Sequence, residues 1–487
     1  MPSDSFITRF HEQVKRFPES PALVREQETV SYGRLGADVA DIRVRLGELA
    51  PDPMRPVVVR ASKSPATIAL IIACSSERRP VLLPSAELGV DALHELAARA
   101  GADRVLSRAD TGEITADAVT APAAAELHDG VRLLLTTSGT TGLPKVVPLP
   151  DAAIDAFLTW AADRFGIVPG RHVLSYAPLN FDLSMLELWT TLSRGGCAVL
   201  VAPDRATDGA HLRELITRHE VHLVQGLPLM YRQLCDGRRQ DEALKAPAHV
   251  LFTGAAMPST LLAELPALFP AAAFANVYGC TETNDSFVHD VDLAAWGDGS
   301  VMPVGRPLPG VRARIEDARG RPLEGSGVGE LVVSTPFQAP GYLASPPGRD
   351  GFVTRDDEDG PRTYFRSGDL VRRDPDGTLT LVGRSDFQVK VRGTRVNAEE
   401  VEQVLLDHPE VSEAAVLAVP DSAAGHRLSA VVRRAPGSRL GAIALRQHCA
   451  RRLTRAAIPT HVRIVDDPLP RGATGKTDRA ALGLATE

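Results

Sequence analysis

Leu135-Thr136-Thr137-Ser138-Gly139-Thr140-Thr141-Gly142-Leu143-Pro144-Lys145 follows a mostly apolar run at residues 131–134, and its reading decides the fold. Hydroxyl side chains crowd Thr137, Ser138, Thr140 and Thr141, with Gly139 among them and Gly142 behind them. Glycine lets backbone N–H groups approach an anion closely, hydroxyls add donors, and Lys145 adds positive charge. The combination predicts a phosphate-binding loop leaving a buried strand. It is not the Walker arrangement, because the G-x-x-x-x-G-K-[ST] spacing is absent.

Outward from this loop, short apolar strands at 56–59, 81–83, 131–136, 173–177, 197–201, 223–225 and 250–252 alternate with helical stretches. That alternation predicts an α/β protein with mainly parallel, helix-covered sheets. Residues 1–50 read as a helix, a short strand at 29–32 and a long helix. After Gly305, short strands at 313–316, 329–334, 369–372 and 378–382 with Gly/Pro/Asp turns predict a small antiparallel, β-barrel-like subdomain over about 305–385. The last hundred or so residues return to mixed α and β, with helices at 398–406 and 442–453 and strands at 411–419 and 427–433. The expected division is 1–385 and 386–487, a large N-terminal lobe and a small, mobile α+β C-terminal domain.

Composition narrows the class. Of 487 residues, 44% are hydrophobic and 24% charged, which excludes wholesale disorder, collagen-like repeats and coiled coil. A net charge of −7 argues against a nucleic-acid partner. Five widely spaced cysteines without a C-x-x-C pair predict reduced thiols in a cytoplasmic protein. The longest apolar stretch, residues 66–73, is too short to span a membrane, and the N-terminus is not a secretory signal. Only six of 54 basic residues are lysines: Lys15, Lys63, Lys145, Lys245, Lys390 and Lys476. The arginine excess reads as compositional bias, and the surviving lysines are of interest because the two cations are not interchangeable.

Further motifs follow in order: Phe181-Asp182-Leu183-Ser184; Asn276-Val277-Tyr278-Gly279-Cys280-Thr281-Glu282; Tyr364-Phe365-Arg366-Ser367-Gly368-Asp369-Leu370; Gly383-Arg384-Ser385-Asp386-Phe387-Gln388-Val389-Lys390-Val391-Arg392-Gly393; and Leu469-Pro470-Arg471-Gly472-Ala473-Thr474-Gly475-Lys476-Thr477-Asp478-Arg479. With the loop, these six motifs resemble the signatures of the adenylate-forming superfamily, which includes acyl-CoA ligases, luciferases and nonribosomal peptide synthetase adenylation domains. The resemblance is most specific to free-standing amino-acid adenylation enzymes.

That resemblance implies ATP-dependent activation of a small amino acid to an aminoacyl-AMP, followed by transfer to the phosphopantetheine thiol of a carrier protein. It implies ATP and Mg2+ as cofactors, with Glu282 as metal ligand, Thr281 on the α-phosphate and Lys476 bridging carboxylate and phosphate. Tyr278 and Gly279 would border adenine and Asn276 its edge, while Asp369 and Arg384 would take the ribose. Asp182 would hold the substrate ammonium; its alternative is a helix N-cap before residues 183–192. The implied pocket adds Leu183, Leu186, Gln225, Phe252, Gly254, Val277, Asp285 and Ser286. Asp285 departs from the usual apolar residue; it reads a side-chain amine or hydroxyl, or it is solvated. Asp386 would be the hinge of a C-terminal rotation that brings residues 390–393 to the thioester step, Gly393 leaving room for the pantetheine arm. Because the sequence ends soon after Lys476, the carrier is expected in trans, and an MbtH-like protein is a further candidate partner. The competing reading is an acyl-CoA ligase, which shares every motif except Phe181–Ser184.

Two outcomes are expected. Lys476→Ala removes most of the adenylation rate while ATP binding persists; pyrophosphate exchange within about threefold of wild type would contradict that role. Asp386→Pro preserves adenylation and abolishes thioester transfer, measured as loading of a carrier thiol; equal loss of both steps would contradict a hinge.

Overall fold

The computed structural model describes residues 5–86, 88–121, 127–137, 144–239, 242–293, 296, 302–317, 319–343, 351–384, 388–421, 425–435, 437–470 and 482. The chain separates into two compact units. One comprises Met1–Pro84, Ala97–Thr136 and Val146–Ser385, the other Ser85–Leu96, Thr137–Lys145 and Asp386–Glu487.

The first unit is built on a nine-stranded sheet. Its strands lie in the order Arg306–Pro307, Asn284–Val291, Ala273–Cys280, His249–Phe252, Leu223–Gly226, His172–Ser175, Cys197–Leu200, Pro21–Arg25 and Glu28–Ser31. The six from Ala273–Cys280 to Pro21–Arg25 are parallel, and antiparallel strands finish both edges. Alternate residues feed two cores. Val173, Leu223, Leu251 and Ala275 join one cluster, and Leu174, Val224, Val250 and Phe252 the other. Parallel strands with both faces covered read as continuous apolar runs, which is why the sequence shows runs here and not alternation.

A six-stranded sheet carries the strands Val131–Thr137 and Lys145–Pro150 at one side. A five-stranded antiparallel sheet holds Arg312–Glu316, Gly327–Ser334, Phe352–Asp357, Gly360–Arg373 and Leu379–Arg384. The apolar segment at 66–73 lies in the helix Pro65–Ser76, buried on every side, with Ser64 capping it by accepting from Thr67 N at 3.2 Å. Among the described residues no helix is long and apolar enough to cross a membrane. All five cysteines are free.

The second unit contains a sheet of Val411–Asp421, Gly425–Arg434 and His461–Val465, packed with the helices Ala398–Leu406 and Ala442–Ala450 around Val401, Leu405, Val416, Leu428 and Leu445. The hairpin Gln388–Val391/Thr394–Asn397 turns through two residues, Arg392 and Gly393, both with positive φ. A two-residue hairpin turn of this kind favours glycine at its second position, so Gly393 has a local backbone reason as well as the implied pantetheine role.

Several strands, among them Lys145–Pro150, Ala273–Cys280 and Asn284–Val291, lie outside the expected set, and three further elements differ from expectation. Pro21–Arg25 is an extra strand; it forms a hairpin with Glu28–Ser31 and pairs on its other side with the distant Cys197–Leu200. Gly360–Arg373 runs 14 residues, because it serves three neighbouring strands in turn. The segment after Ser184 is a π-helix, Met185–Thr190, continued by one α-turn, Thr191–Ser193.

Histidines gather at the strand starts of the parallel sheet. His222 Nε2 lies 3.0 Å from Phe165 O, and its ring meets His249 edge-on at 5.3 Å. His172 Nδ1 bonds His219 O. Burial is the main cause that holds His219, His222 and His249 below the ordinary histidine value, with His172, Arg171 and Arg164 among the reinforcing charges. The fold therefore binds fewer protons than the unfolded chain once pH falls below the ordinary value of 6.5. Stability should be insensitive to these groups above that value and decline below it. The urea midpoint is expected to fall between about pH 7.5 and about pH 5.5, and to fall less in His222→Gln/His249→Gln.

Candidate active site

Tyr278 closes the useful part of the strand Ala273–Cys280, and Asp369 and Arg384 lie opposite each other in the five-stranded sheet. The Tyr278 hydroxyl donates to Asp369 Oδ2 at 2.5 Å, and Arg384 donates to Oδ1 and, at 3.0 Å, to Ser367 O. Ser367 Oγ accepts from Asp369 N at 3.0 Å and donates to Leu331 O at 2.6 Å. A nearly buried carboxylate is thus fixed between a phenol and a guanidinium. Burial, then the Asp369 charge, pushes the Tyr278 phenol well up, so it stays a donor. Asn276 Nδ2 donates to Pro303 O at 2.8 Å, which fixes the amide plane one residue pair below Tyr278.

The strand then reverses tightly. A Cβ on Gly279 would stand 2.3 Å from Asn284 O and 2.7 Å from Asp285 Cα, so only glycine fits between the two chains. Asn284 takes positive φ, and its Oδ1 accepts from Asp285 N at 2.9 Å. Glu282, inside this turn, is 1% exposed; Tyr342 donates its hydroxyl to Glu282 Oε1, and Ala339 N donates to Glu282 O at 2.9 Å. Thr335 Oγ1 secures Thr283 O at 2.9 Å. Thr281 beside them is half-buried. No group of three or more His, Cys, Asp or Glu that could cage a metal occurs among the described residues. A lone hard carboxylate fits Mg2+ that brings its remaining oxygens from phosphate and water.

The segment Phe181–Ser184 is a turn, not a helix start. Asp182 Oδ1 accepts from Leu183 N at 3.0 Å, and the following helix has Ser184 at its cap position with no side-chain cap. The N-cap alternative for Asp182 is therefore not what the backbone builds. Asp182 also acts electrostatically on Asp285. Burial, then the Asp182 charge, raises the Asp285 carboxyl to about 8.

Leu186, Phe252, Val277 and Ser286 are fully or nearly fully buried. Ser286 spends its hydroxyl on Thr283 Oγ1 and Asn284 O, both at 3.1 Å, and Phe252 stacks with Phe274 and meets Tyr231 edge-on. Gly254 has φ 78, and a Cβ there would meet Leu227 Cδ2 at 2.3 Å. Gln225, also buried, donates to Leu183 O at 3.3 Å and Glu187 Oε1 at 3.5 Å. It is a bridge as well as a volume filler.

Thr137 and Lys145 belong to the described strand ends around the hydroxyl-rich loop. Ser138, Gly139, Thr140, Thr141, Gly142, Asp386 and Lys476 lie outside the described residues. The geometry adds Tyr342, Ser367, Glu187 and Lys63 to the neighbourhood. Of these, only Lys63 had a sequence signal, as a lysine in an arginine-rich chain.

A family model described as AMP-binding enzyme matches residues 10–343, and one described as AMP-binding enzyme C-terminal domain matches residues 400–476. An L-proline--[L-prolyl-carrier protein] ligase from Pseudomonas fluorescens is 31% identical over 98% of this chain and 99% of the relative. One of the same name from Streptomyces coelicolor is 36% identical over 72% of this chain and 65% of the relative. The amide bond synthetase McbA from Marinactinospora thermotolerans, 26% identical, superposes with a TM-score of 0.84 over 98% of this chain and 99% of its own. The chain belongs to the AMP-binding enzyme family and is an ATP-dependent, adenylate-forming ligase.

Proposed function

We propose that the protein activates a small amino acid, with L-proline the first candidate, and passes it to the phosphopantetheine thiol of a carrier protein. The carboxylate pair Asp182–Asp285 carries this reading. Burial, then the Asp182 charge, raises the Asp285 carboxyl to about 8, so at neutral pH Asp285 keeps its proton and leaves the anionic role to Asp182. The pair then presents one negative charge, which matches one ammonium, primary or secondary. The prolyl ligase relatives support the same substrate class.

In the first step a substrate carboxylate oxygen forms a bond to the α-phosphorus of ATP, and the bond to pyrophosphate breaks. Both reactants are anionic, so holding them together and neutralising developing charge are the main tasks. Asp369, oriented by Tyr278 and Arg384, keeps lone pairs for the ribose diol. Thr281 and the hydroxyl loop with Lys145 serve the phosphates, and Lys476 bridges the reacting carboxylate and the α-phosphate. Mg2+ bound with ATP would be held by Glu282 and would screen phosphate charge. The lobe boundary at Asp386, cytoplasmic residence and an MbtH-like partner belong to the same reading.

Amino-acid-dependent pyrophosphate exchange tests it. L-Proline is expected to lead a panel of amino acids, and carrier loading to exceed CoA thioester formation. Asp182→Asn should lower kcat/KM about 100-fold, while Asp285→Asn, which imitates the protonated carboxyl, stays within about threefold. Response to fatty or aryl acids alone would overturn the reading, and preference for a diamino acid would overturn the shared-proton argument.

A further inference from the structure

Beneath the Asp182 turn lie a buried ammonium and a buried carboxylate that the adenylation chemistry does not use. Lys63 precedes the helix Pro65–Ser76 and is 4% exposed; its Nζ donates to Ser175 O at 2.5 Å, at the end of the strand His172–Ser175. Glu187, wholly buried in the π-helix, accepts from Ala177 N at 2.8 Å through Oε2. Gln225, on the adjoining strand Leu223–Gly226, spans from Glu187 Oε1 to Leu183 O. The three side chains therefore tie the end of one parallel strand, the loop behind it and the next strand to the residue that follows Asp182. The surrounding hydroxyls finish the frame: Ser184 Oγ bonds Leu179 O at 3.2 Å, Thr190 Oγ1 bonds Met185 O at 2.8 Å and Thr191 Oγ1 bonds Glu187 O at 2.9 Å. An inserted π-turn re-aims the side chains on either side of it, and it holds only where such bonds compensate the altered ladder.

We propose that Lys63, Glu187 and Gln225 are positioning residues that hold the Asp182–Leu183 turn in the geometry that binds the substrate ammonium. This rests on the reading of Asp182 given above. None of the three needs to touch the substrate. Glu187 as a carboxylate accepts from both the Ala177 amide and the Gln225 amide, and so leaves Gln225 oriented toward Leu183 O. Lys63 favours the charged form of Glu187: burial raises the Glu187 carboxyl to about 7, and the Lys63 ammonium opposes that rise. The other titratable groups acting on or sensing Glu187 are Tyr176, raised to about 12 by burial, and Tyr231, raised further, so both stay neutral. Loss of Lys63 therefore leaves Glu187 protonated to a higher pH, and a protonated Glu187 offers Gln225 and Ala177 a weaker acceptor.

Pyrophosphate exchange on the full-length protein, with amino acid and ATP titrated separately, tests the role. Glu187→Gln and Lys63→Met should each raise the KM for the amino acid about tenfold and leave that for ATP within about twofold. Lys63→Met/Glu187→Gln, with no uncompensated buried charge, should lie closer to wild type than Lys63→Met. In Lys63→Met the acid limb of the amino-acid KM profile should move to higher pH, a shift that a purely structural lesion would not produce. If a single variant fails to accumulate, Gln225→Met reads the same quantity, with the same rise expected. An unchanged amino-acid KM, equal rises in both KM values, or a stationary acid limb overturns the proposal. An unchanged amino-acid KM in Asp182→Asn overturns the underlying reading instead; unchanged values here beside an impaired Asp182→Asn overturn only the positioning role.

Discussion

A single carboxylate, Asp369, joins two sheets that the chain builds far apart. Tyr278 belongs to the large parallel sheet and Asp369 to the small antiparallel one, yet their side chains meet at 2.5 Å, with Arg384 on the other oxygen. The contact requires that the large-sheet strand turn where it does and that the small-sheet strand keep its register. The large-sheet strand reverses at Gly279 because no Cβ fits against Asn284 O, and the small-sheet strand presents Asp369 in register with Arg384. Buried carboxylates are costly unless paired and hydrogen-bonded, and this one is both. Docking of the two sheets and orientation of this carboxylate are consequently one event.

The amino-acid side of the site obeys a different constraint. There burial moves proton affinities toward neutrality: Asp285 up to about 8, Glu187 up to about 7, Lys63 down to about 8. Such values near neutrality mean that charge in this region is set by neighbours and not by residue type. The Asp182 charge helps burial to keep Asp285 protonated, and the Lys63 ammonium offsets part of the rise that burial imposes on Glu187. The pocket can then offer one net anion to an ammonium without stacking like charges against each other.

The ordered motifs were readable because each concentrates unusual residue types within a few positions. Hydroxyls and glycines around Lys145, Tyr-Gly-x-Thr-Glu at Tyr278 and Gly-Asp at Asp369 all mark backbone that must bend near charge. The parallel strands were readable as apolar runs for the reason that both faces are covered. Pro21–Arg25 was not: one of its partners, Cys197–Leu200, lies far along the chain, and the hairpin to the other, Glu28–Ser31, turns at Glu26-Gln27 without the glycine or asparagine that usually marks such a turn. The π-helix was equally hidden: residues 183–192 have ordinary helical periodicity, and the extra residue per turn is enforced by Thr190, Thr191 and the Glu187 network. Tyr342 gave no signal because its role depends on a loop returning to Glu282 across 60 residues.

The lysine scarcity acquires a physical sense from Lys63. In a chain that favours arginine this strongly, a lysine persists where arginine would cost more than the bias gains. Arginine brings five donors in a rigid plane and is never neutral. At residue 63 the described acceptor is one carbonyl, Ser175 O, in a wholly buried setting, and four further N–H groups would have no place there. A compact ammonium satisfies the carbonyl, acts on Glu187 through space and can be tuned downward by burial. As a filter, composition bias is partial, since Lys15 and Lys245 pass it at exposed positions, but at residue 63 geometry, not charge alone, is the requirement.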